Sequence, residues 1–339
     1  MLNNKICREG QEQKMGIQIV RFEKESKEHW GVVSDDRIIV LKDSYSSLAQ
    51  FLENGVEEAR QVKEDKIAES ISFKEITFLS PVTKPARIIC QGANYSSHRA
   101  EAGLEAVRPP FNLIFSKADS SLCGAYSEII RPSNIQLLDY EVELGLVIGT
   151  EITSSVEVTD NNLHKYVAGL VIFNDISARD IQLSEGQWMK GKSYRTFGPT
   201  GPFLYLLDQD EISTIHDLEL KCWVNEELRQ STNTKQLLFK PTETLTELSA
   251  IMDLSKGDLL ITGTTGGVAL NLSPELIGQV SNPVLSHQKK LDLLLESQLQ
   301  NGKYLVDGDV IKCQIRSTDG TIELGEQINK VVGSKVTVS

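Results

Sequence analysis

Short apolar segments rich in Val, Ile and Leu follow one another along most of this chain, with Gly and Pro between them. From residue 86 onward these segments have the length of β-strands, and their pattern predicts a mostly β domain with many non-local strand pairings and few helices. The predicted strands are 87–90, 112–116, 128–132, 136–148, 165–173, 203–207, 218–224, 258–262 and 309–316. The predicted fold class is therefore α+β, mostly β, with a sandwich or roll as its main part.

The first 80 residues have a different pattern. Strand-like segments at 17–22, 30–33 and 36–41 precede helical spacing over 46–66, which is typical of a small α/β domain. Pro81 and Pro85 mark a boundary after it. We therefore expect a loose leader at 1–14 without the apolar segment of a signal peptide, a small N-terminal domain at 15–80, and a larger domain at 81–339.

A helical insertion is predicted at 271–306, between two strand-like stretches. Within it, residues 286–300 carry leucines at helical spacing, and a glycine at 302 suits the end of a helix. The leucines of this stripe are Leu291, Leu294, Leu295 and Leu299. The insertion either packs on its own domain or forms a subunit contact.

Composition narrows the choice of partners. The 339 residues carry a net charge of −12, which argues against a nucleic acid or an anionic membrane as partner, because both attract basic surfaces. The five cysteines are scattered and show no CxxC spacing, so we expect a reducing, cytoplasmic environment without a disulfide framework. No apolar stretch in the sequence has the length of a membrane span.

Carboxylates form the clearest chemical pattern. Asp139, Glu141 and Glu143 alternate with apolar residues, so a strand would place them on one face, and Asp175 follows the strand at 165–173. Alternating charge is also typical of a solvated strand face. The apolar run 144–148 that follows argues for a central strand instead. Clustered carboxylates without Cys or His suit Mg²⁺, Mn²⁺ or Ca²⁺.

Three further segments carry candidate chemistry. His98 and Glu101 are spaced to face each other on one helical turn, as a general base and the group that orients it, or as a simple surface contact. The Gly/Thr loop at 262–267 either offers backbone N–H groups and hydroxyls to a carboxylate or is a plain tight turn. Lys192 belongs to a formal phosphate-loop pattern at 186–193, but the residues before it are a poor strand and 197–202 cannot form a helix. A lysine near a metal would instead hold an anionic substrate.

In this order, the segments resemble the fumarylacetoacetate hydrolase family over about residues 85–335. The resemblance rests on 92–95 with His98 and Glu101, on 114–117, on the carboxylate strand 139–144, and on 173–180 followed by 191–193. The segments 257–264 and 308–310 complete it. The larger domain would then be a β-roll catalytic domain, as in a family that is often dimeric and acts on small 2-oxo acids.

The resemblance also implies roles for individual residues. Glu141, Glu143 and Asp175 would bind a divalent metal, Mg²⁺ or Mn²⁺ with Ca²⁺ as a further alternative. The residues expected to be catalytic are His98, Glu101 and Lys192. The residues expected to contact substrate are Tyr95, Gly263, Thr264 and Arg195. Arg195 departs from the family, since many hydrolytic relatives carry Asp at this position. It either pairs with a second anionic group of the substrate at the pocket rim or pairs with a neighbouring acid and does not contact substrate.

The expected activity is hydrolysis of a C–C bond in a small 2-oxo acid such as an acylpyruvate or fumarylpyruvate, of the kind met in aromatic catabolism. Decarboxylation of oxaloacetate and isomerisation of a 2-hydroxymuconate-type acid would use the same groups, and the sequence does not choose among them. The alternative to an enzyme is an inactive metal-binding protein that acts in assembly. We expect a homodimer with a small-molecule substrate and no nucleic-acid or membrane partner.

Overall fold

A computed structural model describes residues 15–64 and 70–334 of the protein. The predicted leader at 1–14 lies outside the described residues. The strands are β1 (Ile17–Lys24), β2 (Lys27–Ser34), β3 (Arg37–Val40), β4 (Ser70–Ser72), β5 (Thr77–Phe78), β6 (Ile88–Gly92), β7 (Leu113–Lys117), β8 (Leu122–Gly124), β9 (Ile129–Arg131), β10 (Leu138–Asp139), β11 (Val142–Ile148), β12 (Val167–Asn174), β13 (Ser177–Ala178), β14 (Gly198–Thr200), β15 (Leu204–Leu206), β16 (Leu218–Val224), β17 (Glu227–Asn233), β18 (Leu259–Ile261), β19 (Val310–Ser317) and β20 (Glu323–Gly333). The helices are α1 (Leu48–Asn54), α2 (Val56–Glu64), α3 (Ser96–Glu101), α4 (Arg179–Glu185), α5 (Trp188–Lys192), α6 (Pro241–Ser249), α7 (Pro274–Val280) and α8 (His287–Gln298).

The larger of the two main sheets has β11 and β12 near its centre. Its strand order is β4-β3-β2-β1-β15-β12-β11-β18-β6-β7, with β5, β8 and β14 attached at the side. Every residue of β11 is buried, which explains why this strand is apolar on both faces after its charged start. Antiparallel pairing with β12 sets Val142 opposite Asn174, and this register decides where the neighbouring carboxylates lie.

A second, five-stranded sheet packs against the first. Its order is β17-β16-β19-β20-β9, and its inward side chains, such as Leu220 and Ile315, join one core with Leu144 and Leu146 of β11. Two packed sheets with few helices confirm the predicted α+β, mostly β fold, and the described residues form no closed barrel. No described helix has both the length and the apolar character needed to cross a membrane.

The N-terminal strands extend the larger sheet. β1 pairs antiparallel with β15, and Trp30 of β2 stacks on Phe51 of α1 with 4.8 Å between ring centroids. The helix predicted over 46–66 is two helices that meet at Gly55, and residues 65 and 66 lie outside the described part of the chain. The division into two domains near residue 80 stays a prediction.

The segment at 271–306 contains α7 and α8. The helix predicted over 286–300 is observed as α8, and Ser286 caps it by accepting a hydrogen bond from the backbone N–H of Lys289. Leu294 is buried in the main core, whereas Leu299 is half exposed. α8 packs against α4 and α7, so part of its leucine stripe is covered within the chain itself.

Candidate active site

The three carboxylates predicted as metal ligands meet where β11 begins and β12 ends. Asp175 donates its backbone N–H to the carbonyl oxygen of Glu141, and Asn174 accepts the backbone N–H of Glu141 through its side-chain oxygen at 3.0 Å. One carboxylate oxygen each from Glu141, Glu143 and Asp175 lies within 4.8 Å of the others, and all three residues are buried. Strand pairing therefore brings the predicted ligands, hereafter the triad, together.

Asp139 does not belong to this triad, because the predicted strand at 136–148 is interrupted between β10 and β11. Its carboxylate accepts hydrogen bonds from Arg179 Nε at 2.9 Å and from the backbone N–H groups of Ala269 and Leu270 at 2.8 and 3.1 Å. These donors occupy its oxygens. Asp139 therefore positions Arg179 and the segment at 269–270.

Three buried cations surround the triad. Lys192 Nζ lies 2.6 Å from Glu141 Oε2 and 2.7 Å from Asp175 Oδ2. Lys117 pairs with the other oxygen of Asp175, and Arg179 pairs with Glu141. Burial opposes the ionisation of Glu141, but the attraction of Lys192 and Arg179 outweighs it and holds the pKa of Glu141 below its usual value.

Glu143 is the carboxylate with the least compensation. It accepts the backbone N–H of Gly263 at 2.6 Å, and no lysine, arginine or histidine in the described chain forms an ion pair with it. Burial, followed by repulsion from Asp175 and Glu141, raises its pKa well above the usual value. A cation beside Glu143 would remove this penalty.

The donor set fits a hard divalent ion. Together with Asp139, the triad makes four carboxylates against the three cations, so an ionised Glu143 leaves one excess negative charge in a buried region. Oxygen donors without Cys or His are the set preferred by Mg²⁺, Mn²⁺ and Ca²⁺. These residues therefore satisfy the chemical requirements of a divalent metal site.

His98 faces the same region from α3. It is 7% exposed, and burial lowers its pKa to about 4 even though Glu141 favours the protonated form. Its Nδ1 has no hydrogen-bond partner among the described residues. At neutral pH the imidazole is therefore uncharged and able to accept a proton.

Glu101 does not pair with His98, contrary to the prediction from their spacing. Both of its carboxylate oxygens lie 2.9 Å from the backbone nitrogen of Gly267, and no hydrogen bond joins it to His98 in the described structure. Gly267 has φ +99°, and a Cβ at this position would collide with the backbone oxygen of Arg229. The backbone N–H of Gly267 thus binds the Glu101 carboxylate and holds it away from the imidazole.

The residues predicted to contact substrate differ in what they can offer. Thr264 lines the cavity, but its hydroxyl donates to Val142 O at 3.0 Å and accepts from Gln230 Nε2 at 2.8 Å. The N–H of Gly263 is already bound to the triad. Tyr95 is fully buried, and its hydroxyl has no hydrogen-bond partner in the described chain. Gly263 therefore positions Glu143, and Gln230 positions Thr264.

One cavity joins these groups, with about 560 Å³ of empty space including its open mouth. The predicted residues in its wall are His98, Glu141, Glu143, Lys192 and Thr264. Arg195 is exposed and lies outside this wall. The guanidinium that reaches the cavity is that of Arg179, whose Nη1 donates to Gln182 Oε1 at 2.9 Å.

Lys117, Arg179 and Gln230 are site residues that the sequence interpretation missed. Arg179 follows Asp175 by four residues in the segment 173–180, which belongs to the family resemblance, so its sequence position could have identified it as a site residue. Lys117 ends the segment 114–117 that already belonged to the family resemblance, but no role was assigned to it. Gln230 carried no signal, because its partner Val142 is distant in sequence and only the fold brings the two together.

The geometry agrees with what known proteins indicate. The family model described as fumarylacetoacetate (FAA) hydrolase C-terminal matches residues 87–332. The chain is a member of the fumarylacetoacetate hydrolase family. The described site, with its carboxylate triad, lies within the matched region.

Similar proteins in this family carry out several reactions. The chain is 37% identical over 290 residues to "Oxaloacetate tautomerase Fahd2a, mitochondrial" of Rattus norvegicus. The aligned region covers 84% of this chain and 80% of that relative. A solved fumarylacetoacetate hydrolase from Exiguobacterium antarcticum is 30% identical with a TM-score of 0.70, over 94% of this chain and all of that one.

A more distant structure shares the fold. Maleylpyruvate hydrolase from Sphingobium sp. SYK-6, solved with a manganese(II) ion and pyruvate, is 24% identical with a TM-score of 0.67 and covers 94% of this chain and all of that one. The family thus includes tautomerases and hydrolases that act on small acids, and this chain is an enzyme of that family. Membership alone does not establish the C–C hydrolysis expected first from the sequence.

Proposed function

We propose that this protein is a divalent-metal-dependent enzyme that interconverts the enol and keto forms of a small 2-oxo acid, with oxaloacetate as a substrate. The single observation that carries the choice is a neutral, buried His98 that lines the same cavity as Glu141 and Glu143 and forms no hydrogen bond with a carboxylate among the described residues. The similarity to an oxaloacetate tautomerase points the same way.

The triad would hold the metal, with Mg²⁺ and Mn²⁺ as the first candidates; the manganese of the maleylpyruvate hydrolase structure supports this assignment. When bound, such an ion supplies a Lewis acid that stabilises negative charge on the keto oxygen of a 2-oxo acid. Lys192 and Arg179 add fixed positive charge to the same wall. Both side chains are already ion-paired and buried, so they need little reorganisation when charge develops.

His98 would move the proton. Its neutral imidazole accepts the proton from C3 of the keto acid, and the protonated ring returns one proton to the oxygen to give the enol; the reverse sequence gives the keto form. One C–H bond breaks, one O–H bond forms, and no water enters the product. Burial lowers the pKa of His98 to about 4, so the ring is unprotonated at neutral pH and has a vacant site for the proton.

Hydrolysis has a further requirement. It needs an activated water, for which an oriented His–carboxylate pair is the usual device. Glu101 is bound to Gly267 instead. This arrangement favours proton transfer within the substrate over attack by water.

The decisive assay follows the ultraviolet absorbance of enol-oxaloacetate with metal-loaded protein and, in parallel, the release of pyruvate from oxaloacetate and from an acylpyruvate. We expect fast loss of the enol without matching pyruvate release. His98→Ala should lower the tautomerisation rate by about 10²–10⁴-fold. Pyruvate release from the acylpyruvate, with no effect on the enol, would instead establish C–C hydrolysis.

Two further expectations stay predictions. The relative is named as a mitochondrial protein, so the cytoplasmic location expected from the cysteine pattern remains to be tested. The homodimer expected from the family resemblance also remains to be tested, for example by analytical ultracentrifugation.

A further inference from the structure

The cavity has two chemically different halves. One half, hereafter the inner half, holds the buried side chains of Glu141, Glu143, Lys192 and Arg179. The other half, hereafter the mouth, has apolar side chains from three separate parts of the chain, most of which are partly exposed. These side chains are Leu104 after α3, Leu183 and Trp188 from α4 and α5, and Leu272 and Ile277 from the insertion.

Aromatic rings connect the two halves. Lys192 Nζ lies 5.5 Å from the centroid of the Phe115 ring, and Phe115 meets Trp188 edge to face with 5.1 Å between centroids. Both rings line the cavity and are partly exposed. A planar substituent that extends outward from the charged centre would therefore pass along two aromatic side chains.

A four-carbon dicarboxylate does not account for this wall. Both carboxylates of such a substrate need cations, and the lysine and arginine that line the cavity in the described part of the chain, Lys192 and Arg179, both pair with Glu141 in the inner half. A carboxylate placed against Leu104, Trp188 and Ile277 would lose hydration without gaining a partner.

We infer that the enzyme also tautomerises 2-oxo acids that carry an aryl group on C3, such as phenylpyruvate, with the ring against Phe115 and Trp188. This inference rests on the proposed function, because it uses the same proton transfer from C3 to the keto oxygen. No oxidant or co-reactant is required. The enol of such an acid is conjugated with its ring and planar, which suits the flat aromatic wall.

The test measures kcat/KM for phenylpyruvate and for oxaloacetate with the same metal-loaded protein, with enzyme-free buffer subtracted. We expect both acids to be tautomerised. Trp188→Ala should lower the phenylpyruvate-to-oxaloacetate ratio of kcat/KM by at least roughly tenfold, because it removes the ring's contact surface. Ile277→Ala should lower the same ratio less, and Trp188→Phe should restore most of it.

Met189→Ala is the matched control. Met189 is the next residue on the same helix, is 53% exposed and lies outside the cavity wall, so its ratio should equal that of the wild type. Thermal unfolding midpoints of all variants show whether a lower ratio comes from loss of the side-chain contact or from unfolding of the variant.

The outcomes are distinguishable. Turnover of oxaloacetate without turnover of phenylpyruvate would overturn this inference and leave the proposed function intact. Turnover of neither acid would overturn both. Turnover of phenylpyruvate with a ratio that Trp188→Ala and Ile277→Ala leave unchanged would show that the apolar wall does not bind the ring.

Discussion

Glu143 shows how a functional residue can oppose the stability of the protein that carries it. Its carboxylate is 2% exposed and has no cationic partner among the described residues, and burial, together with the neighbouring acids, raises its pKa. Such a buried, unpaired carboxylate is tolerated when a bound cation offsets the free energy lost by desolvation and repulsion. The metal-free protein should therefore gain stability when this charge is removed.

Glu143→Gln should raise the free energy of unfolding of the metal-free protein at pH 7 by about 1–2 kcal/mol, because the amide keeps an oxygen for the Gly263 N–H but carries no charge. Calorimetric titration with Mn²⁺ should show that binding is lost. Glu296→Gln, on the exposed face of α8, serves as the control and should change neither quantity. A destabilised variant with unchanged Mn²⁺ affinity would contradict the metal assignment.

His98 makes the free energy of unfolding depend on pH, and its contribution decreases as the pH falls. Its pKa is about 4 in the folded protein and 6.5 as the ordinary value, so the unfolded chain binds more protons between these limits. The contribution to stability is complete above pH 6.5 and is lost as the pH falls toward 4.

From pH 7 to pH 5, the metal-free wild type should lose about 2 kcal/mol of unfolding free energy through His98. His98→Asn, which does not titrate in this range, should lack this part of the loss. Urea unfolding of both proteins at the two pH values measures the difference. Equal pH dependence in both would show that the imidazole is not buried in its neutral form.

At the residue scale, the sequence predicted the ligands better than their surroundings. Alternation placed Glu141 and Glu143 together, and Asp175 followed a buried strand, so local patterns sufficed. The hydrogen bond from Gly267 to Glu101 depends on a loop that is far away in sequence, and helical spacing could not reveal it. Arg195 lay close to Lys192 in sequence, but its side chain is exposed.

Elements were predictable where one face alone is apolar or where a whole strand is buried. β11 and β12 followed from their apolar runs. β20 was missed although it has 11 residues, because glutamates, a glutamine, an asparagine and a lysine break its apolar pattern. The single predicted N-terminal helix became two, since Gly55 ends α1 and its N–H bonds to Phe51 O at 2.7 Å.

The insertion gives a test at the same scale. If α8 packs on its own domain, Leu294→Ala should lower the free energy of unfolding by about 3 kcal/mol, because Leu294 is fully buried in the main core. Leu299→Ala should change it by less than about 0.5 kcal/mol, since Leu299 is 51% exposed. Urea denaturation measures both.

The alternative role of the insertion predicts the reverse order. A subunit contact made by the exposed leucine would make Leu299→Ala shift the association equilibrium in sedimentation experiments. A small effect of Leu294→Ala together with such a shift would contradict the packing described for α8.

At the scale of the whole molecule, fold class was predictable but strand order was not. Many short strands separated by turns indicate a mostly β protein, yet the pairing of β6 with β18 and of β1 with β15 joins residues far apart in sequence. Because β18 also pairs with β11, the β6–β18 pairing brings α3, which follows β6, toward the start of β11, and His98 and Glu141 line the same cavity. The site is thus a product of long-range topology acting on short local motifs.

The central claim is that metal bound by the triad promotes removal of a proton from C3. Exchange of the C3 hydrogens of oxaloacetate for deuterium, followed by proton NMR in D₂O with Mg²⁺, tests it most directly. We predict that the protein accelerates the exchange well ahead of any pyruvate formation, and that a chelator or Glu141→Gln removes the acceleration. Exchange that persists after chelation, or pyruvate that appears before exchange, would contradict it.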